Sequence, residues 1–323
     1  MATTSHVVLG AGPVGRAVIS SLTARGIIPT VVTRTGQAVP GAISLRADLG
    51  DPSAAAAATA GAEVLFQCAQ PAYHRWPQEF RALQSRVVDA AAEAGALLVA
   101  AENVYGYGPV SGPLTEVLPL AATTRKGRVR AQMWRDLADA HQAGRLRVVA
   151  GRASDFFGPG VTASAVGDRF FGPLCRGERV DVVGDPDRLH TYTYVPDFGE
   201  ALVRLSETPA TWGHAWHVPN ATTVTTREFA TIAAGLAAAA PLRLRPVRAW
   251  QLRLVGTMVP AVREIAEMLY EFDEDHVVDH TAYTSVLGDH ATPLEDAVAA
   301  TVGAYTAPRR HDEHANRLIR RRA

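Results

Sequence analysis

The chain has 323 residues, 47% of them apolar, with 32 basic residues set against 32 acidic ones. That content buries one large core or two unequal domains, excludes a mainly disordered chain, and lacks the basic footprint of a dedicated nucleic-acid binder. No apolar run approaches the roughly 20 residues that span a bilayer, and Cys68 and Cys175 are too few for a disulfide framework or a zinc cluster.

Taken in chain order, short β-branched runs alternate with helical patterns. Strands are predicted at His6–Leu9, Thr30–Thr33, Ala42–Leu45, Glu63–Phe66, Ala96–Ala100 and Leu146–Ala150, with amphipathic stretches such as Val14–Arg25 and Trp76–Ala94 between them. The first strand starts within five residues of Met1, which leaves no room for a signal peptide and predicts a reduced, cytoplasmic protein. Such alternation predicts an α/β fold, a doubly wound parallel Rossmann sheet with helices on both faces. The texture changes past Gly151 to Gly-Pro turns, a Tyr/Thr run at Thr191–Tyr194, then helical patterns. The expected division is a nucleotide-binding domain over 1–160, a smaller and mainly substrate-binding portion over 161–310 that crosses back to the sheet, and a basic tail over 311–323. Within the second portion, Val247–Phe272 has the composition of a two-helix apolar lid turning at Pro260, although core packing explains the same residues.

The first strand runs directly into Gly10-Ala11-Gly12-Pro13-Val14-Gly15, which opens a helix. Gly10 permits the tight turn, Gly12 admits a pyrophosphate to the backbone, and Gly15 allows close packing of helix on strand. The anion then sits on unpaired N–H groups at the helix start. About 20 residues further on, where an NAD enzyme usually carries Asp or Glu for the ribose 2′-hydroxyl, the chain has Thr33-Arg34-Thr35-Gly36. Arg34 suits a 2′-phosphate, so NADPH/NADP+ is the expected cofactor.

Several segments together resemble the extended short-chain dehydrogenases/reductases, the NAD-dependent epimerase/dehydratase family. Asp48-Leu49 is similar to the family's adenine-contacting pair. Cys68-Ala69-Gln70-Pro71 sits where the fourth strand's end lines the adenine ribose. Ala100-Ala101-Glu102-Asn103-Val104-Tyr105-Gly106 resembles the Ser-Ser-x-x-Val-Tyr-Gly run. Arg152-Ala153-Ser154-Asp155-Phe156-Phe157-Gly158-Pro159-Gly160 resembles the stretch beside the nicotinamide, and Thr193–Asp197 the Val-x-Asp segment. The resemblance covers roughly residues 5–220. It implies that Gly10, Gly12, Pro13, Val14, Gly15, Arg34, Asp48, Leu49, Ala69, Gln70, Ala100 and Lys126 surround the cofactor.

The departures concern chemistry. The family's catalytic serine falls on Ala101, its tyrosine on Lys126 and its lysine on Arg130, with the first two offset by 25 positions as the family has. Arginine cannot tune or shuttle a proton, because its pKa stays above about 12. Lys126 is the only lysine among the 32 basic residues, and at the former tyrosine position it is a candidate point donor or ribose ligand. Tyr105 and Tyr107 are the phenols that could replace the lost hydroxyl, and His190 with Tyr192 could line a substrate cleft. His214 and His217 have no third ligand at metal spacing.

Triad-less members of the family include ketoreductases of angucyclinone-like polyketides. That resemblance implies an NADPH-dependent reduction of an aromatic ketone, with the substrate's own phenol as a possible proton source. Two alternatives stand beside it. One is a nucleotide-sugar epimerase or dehydratase; the other is a non-catalytic NADP(H)-sensing regulator. The partner expected is a small aromatic ketone, with no nucleic acid and no membrane; the oligomeric state is open.

Overall fold

A computed structural model describes residues 5–238, 241–247, 252 and 266–307. Seven strands form one parallel sheet. They are β1 His6–Leu9, β2 Thr30–Thr33, β3 Ile43–Arg46, β4 Val64–Gln67, β5 Leu97–Asn103, β6 Arg147–Ala153 and β11 Ala215–His217, and they lie in the order β11-β6-β5-β4-β1-β2-β3. The helices of this layer are α1 Pro13–Ala24, α2 Pro52–Thr59, α3 Trp76–Ala94 and α4 Arg125–Gln142, and they cover both faces. The doubly wound Rossmann sheet expected from the sequence is therefore present.

Alternation along each strand sorts side chains into two cores. Val7, Leu9, Leu65 and Leu98 pack against α2 and α3, whereas Val8, Phe66 and Val99 pack against α1 and a later helix, α6 Val195–Glu207. Helix boundaries follow local chemistry. Pro13 opens α1 at the one position where its missing N–H costs nothing. Asp51 caps α2 by accepting from the Ser53 and Ala54 amides, and Gly95 at φ +66° closes α3.

Two strands run further than the sequence suggests. The glycine at 151 reads as a strand end, yet β6 continues to Ala153 and β5 to Asn103, paired in register Ala101↔Gly151, Glu102↔Arg152 and Asn103↔Ala153. The glycine answers a packing demand instead of a turn. A Cβ there would meet the Leu202 side chain of α6 at 2.8 Å.

The remaining elements include β7 Asp155–Phe157, α5 Asp168–Cys175, β8 Val180–Val183, β9 Leu189–His190, β10 Tyr192–Tyr194, β12 Val224–Thr225, α7 Thr226–Leu236, β13 Leu244–Val247, α8 Tyr270–Asp273, α9 Thr281–Leu287 and α10 Leu294–Thr306. Their strands pair in twos, β10 with β7, β12 with β9 and β13 with β8. Phe170, Phe171, Phe229 and Val298 form a third core among α5, α7 and α10. From this portion α6 packs against α1, and β11 joins the main sheet beside β6. The lid segment lies within the described residues only at 247, 252 and 266–272, and the turn at Pro260 and the tail over 311–323 lie outside them.

Glu200 ties α6 to α1. It accepts from Ser21 at 2.6 Å, from Arg25 Nη1 and Nη2 at 2.8 Å each, and from Arg204 at 2.7 Å. The Arg25 bonds hold its carboxyl well below the usual glutamate range. A depressed folded pKa gives stability that is present above the unfolded value near 4.3 and is lost as pH falls through the folded value. Glu200→Gln is accordingly expected to cost about 1 kcal/mol at neutral pH, held down by solvent screening at this half-exposed site. Urea unfolding of variant and parent should converge as pH drops below about 4; a constant difference down to pH 2 would contradict the assignment.

Candidate active site

The carboxyl ends of β1, β4, β5 and β6 open into one crevice, the place where open α/β sheets bind ligands. Its first wall is the turn after β1. Gly10 sits at φ +98°, and a Cβ there would meet the Ala69 backbone at 2.9 Å. A Cβ on Gly15 would stand 2.0 Å from the Gly10 carbonyl oxygen, whereas one on Gly12 would meet nothing within 4 Å. Gly12 precedes α1 without a side-chain cap, so the first-turn amides of the helix face open space, as an anion site requires.

Behind the turn lies a cavity of about 240 Å³ reaching from Pro13 and Val14 past Ala69 and Gln70 to Tyr105, Arg130 and Asp155. Gln67 Oε1, Glu102 Oε1 and Ser154 Oγ are buried on its wall and have no hydrogen-bond partner among the described residues. Buried polar atoms left in that state mark where a ligand supplies the missing bonds. The glycine cradle and these three atoms fit a dinucleotide. Arg34 is exposed at the end of β2, Asp48 is exposed with its Oδ1 accepting from the Gly50 amide at 2.8 Å, and Leu49 and Ala100 are buried beneath.

Of the three positions that the sequence resemblance sets against a Ser-Tyr-Lys triad, Ala101 and Arg130 lie together and Lys126 lies apart. Ala101 and Arg130 line the cavity. Arg130 donates from Nε to Asn103 Oδ1 at 3.1 Å and from Nη2 to the Ala101 carbonyl at 3.3 Å, with its guanidinium 5.1 Å above the Trp76 ring. Lys126 is fully buried, yet its Nζ lies 3.1 Å from Glu267 Oε2 and 4.4 Å above the Tyr73 ring, outside the cavity wall. Glu267 also accepts from the Lys126 amide at 2.9 Å. The lysine thus joins the start of α4 to the segment before α8.

The two phenols singled out in the sequence have different surroundings. Tyr105 faces the cavity in one cluster with Tyr73, a wall residue that no motif reveals, and burial pushes both phenols above the usual tyrosine value. Tyr107 lies in an internal chain. Arg152 donates to its hydroxyl at 2.6 Å, and it donates in turn to His217 Nε2 at 2.8 Å. Of the two proposed substrate residues, Tyr192 bonds Thr226 at 2.8 Å within the third core. His190 is buried and touches the cavity through Asp155, 3.0 Å from its Nε2. Asp155 lies in the segment that the sequence resemblance sets beside the nicotinamide, but its contact with His190, two residues before its β10 partner Tyr192, is invisible along the chain. Among the described residues no three His, Cys, Asp or Glu side chains gather as a metal site, and no helix is long and apolar enough to cross a membrane.

A family model, NAD dependent epimerase/dehydratase, matches residues 6–218. No curated protein matches the chain. Among solved structures, MoeE5 in complex with UDP-glucose and NAD is 20% identical, covers 93% of this chain and 98% of its own, and superposes with a TM-score of 0.74. A dTDP-glucose 4,6-dehydratase from Streptomyces venezuelae, DesIV, solved with NAD, is 18% identical over 95% of this chain and 98% of its own at a TM-score of 0.76. UDP-glucose 4-epimerase from Thermotoga maritima with UDP-glucose is 16% identical over 94% and 98%, also at 0.76.

Proposed function

The chain belongs to the NAD dependent epimerase/dehydratase family, and from that membership we propose that it is an oxidoreductase moving a hydride between a nicotinamide dinucleotide and a carbon that bears oxygen. The observation that carries this reading is the crevice itself, where the Gly10–Gly15 turn and three polar atoms without a partner among the described residues converge on one cavity. When bound, the cofactor supplies or accepts the hydride. The chain's part is to hold it through Gly10, Gly12, Pro13, Val14 and Gly15, with Asp48, Leu49, Ala69, Gln70 and Ala100 around the adenine half and Arg130 beside the nicotinamide ribose. Orientation against the acceptor is what hydride transfer mainly needs, so loss of the usual triad leaves catalysis possible.

The likeness to MoeE5, DesIV and the 4-epimerase favours a nucleotide sugar as substrate, turned over by an epimerase or dehydratase reaction. A second reading, NADPH-dependent reduction of an aromatic polyketide ketone, rests on the wall. Tyr73, Trp76, Phe80, Tyr105 and Phe156 line it, while Arg130 is its one cation among the described residues, set against Glu102 and Asp155. A sugar diphosphate would ask for more positive charge. Calorimetric titration of cofactor-loaded protein with UDP-glucose and with 1-tetralone separates the two. Binding of UDP-glucose that UDP displaces supports the nucleotide-sugar reading; heat from tetralone alone supports the aromatic one; heat from neither contradicts both.

NADPH preference is carried by Arg34, exposed at the end of β2 where no acid stands. Arg34→Ala should weaken NADPH binding by about 1–3 kcal/mol, the range of a charge-assisted contact, and leave NADH nearly unchanged. Equal losses in the two titrations would sink the assignment.

A further inference from the structure

His190 is held by both ring nitrogens, and what holds them fixes the number of protons present. Nδ1 lies 3.0 Å from the Glu271 backbone oxygen. A carbonyl only accepts, so Nδ1 carries a hydrogen. Nε2 lies 3.0 Å from Asp155 Oδ2. A bare ring nitrogen and a bare carboxylate oxygen would repel at that distance, so one further proton sits between them. It belongs either to a carboxylic acid donating to the ring or to an imidazolium donating to a carboxylate; the composition is the same in both.

The surroundings keep this proton from leaking to other groups. The imidazole is 2% exposed and stacks on Phe272 at 4.7 Å with 7° between planes, with His276 at 5.0 Å and Tyr192 at 4.7 Å. Burial holds the His276 ring below the usual histidine value, so it stays neutral beside its neighbour. The Glu271 carboxyl is buried and pushed well above the usual range by desolvation and by Asp155, so it adds no negative charge. Tyr192 is likewise pushed up by burial. Only Asp155 reaches the cavity, with its side chain 13% exposed on the same wall as Ala101 and Tyr105.

We propose that Asp155 is the proton donor and acceptor of this site, with His190 as the positioning residue that shares and restores its proton. This rests on the oxidoreductase reading above. In the reducing direction, hydride from the reduced nicotinamide forms the new C–H bond and the carbonyl π pair moves to oxygen. That oxygen takes the proton, and the Asp155 O–H bond breaks. Asp155 is left as a carboxylate facing His190, and solvent returns a proton to the pair. In the oxidising direction the carboxylate removes the hydroxyl proton, which an epimerase or a dehydratase equally requires. The pair does the work that Ala101 and Lys126 cannot do.

The test has two arms on the full chain. Proton NMR of the protein without ligand should show a strongly hydrogen-bonded resonance far downfield of the amides, lost in Asp155→Asn and in His190→Gln while cofactor affinity and circular dichroism stay as in the parent. Its absence from the parent, or its survival in Asp155→Asn, overturns the shared proton. In single turnovers with NADPH and 1-tetralone, or with NAD and UDP-glucose, Asp155→Asn should slow hydride transfer by about 10²–10⁴-fold, the range of general acid–base catalysis. His190→Gln should shift the pH profile of the rate. Retention of the rate within threefold by Asp155→Asn, with Tyr105→Phe losing it instead, would assign the proton to the phenol. A parent that binds cofactor, shows the resonance and turns over neither probe contradicts the oxidoreductase reading and leaves the pair itself standing.

Discussion

Arg152→Met should destabilise the protein by about 3–5 kcal/mol, the cost of breaking a buried ion pair from one side. Arg152 and Glu102 face each other across β6 and β5 with Nε 3.5 Å from Oε2, and their side chains are 4% and 3% exposed. The guanidinium also lies 5.2 Å from the Tyr107 ring and 5.2 Å from the Trp134 ring, and it donates to the Tyr107 hydroxyl at 2.6 Å. Tyr107 passes that order to His217, whose Nδ1 donates to the Asp279 carbonyl at 2.8 Å. Burial holds His217 below the usual histidine value, so the chain runs through a neutral ring. Methionine keeps the packing length but strands the Glu102 carboxylate in the core, where Oε1 already has no partner among the described residues. Removing both charges in Glu102→Gln/Arg152→Met should recover part of the loss, because the couple is then absent instead of broken. Urea unfolding of the two single variants and the double gives the coupling; additive losses would show that the two side chains do not stabilise one another.

Gly15→Ala should raise the dissociation constant for the dinucleotide at least about 100-fold, close to 3 kcal/mol, and lower the melting temperature as well. The new methyl would stand 2.0 Å from the Gly10 oxygen and 3.0 Å from its carbon, and both are backbone atoms of a turn already at φ +98°. Either the turn opens or α1 moves off β1. Gly12→Ala is the informative contrast. Its Cβ meets no atom of the described residues within 4 Å, so stability should be unchanged while binding is lost, since the methyl occupies the approach of the pyrophosphate. Normal cofactor affinity in Gly12→Ala would place the ligand elsewhere.

The sheet was legible because its central strands, β1 and β4 above all, are short apolar runs buried on both faces, and because glycine and proline mark the first turn without ambiguity. His6–Leu9 and Thr30–Thr33 fall as read. The ends of β5 and β6 were not, since Glu102 and Arg152 look like loop residues until the pairing makes them neighbours. The same limit applies at the site. The resemblance to the family's motifs implies that Ala101, Lys126 and Arg130 stand where its triad would. That Lys126 is clamped by Glu267, 141 positions later, is a tertiary fact. So is the meeting of Asp155 with His190, and Tyr73 carried no signal beyond an aromatic cluster with Trp76. Local periodicity records which face is buried; it does not record which distant side chain completes a hydrogen bond.

The proposed hydride transfer without the usual tyrosine is tested most directly by an isotope label. The protein is mixed with NADPH deuterated at the transferable nicotinamide position, then offered 1-tetralone or a 4-keto nucleotide sugar, and the product is examined by mass spectrometry. The expected result is one deuterium on the new carbinol carbon of one of the two, retained in slow turnovers by Lys126→Ala and nearly abolished in Asp155→Asn. Unlabelled probes recovered from a protein that demonstrably holds the cofactor would contradict it, and would leave a dinucleotide-binding protein that performs no redox chemistry on either class.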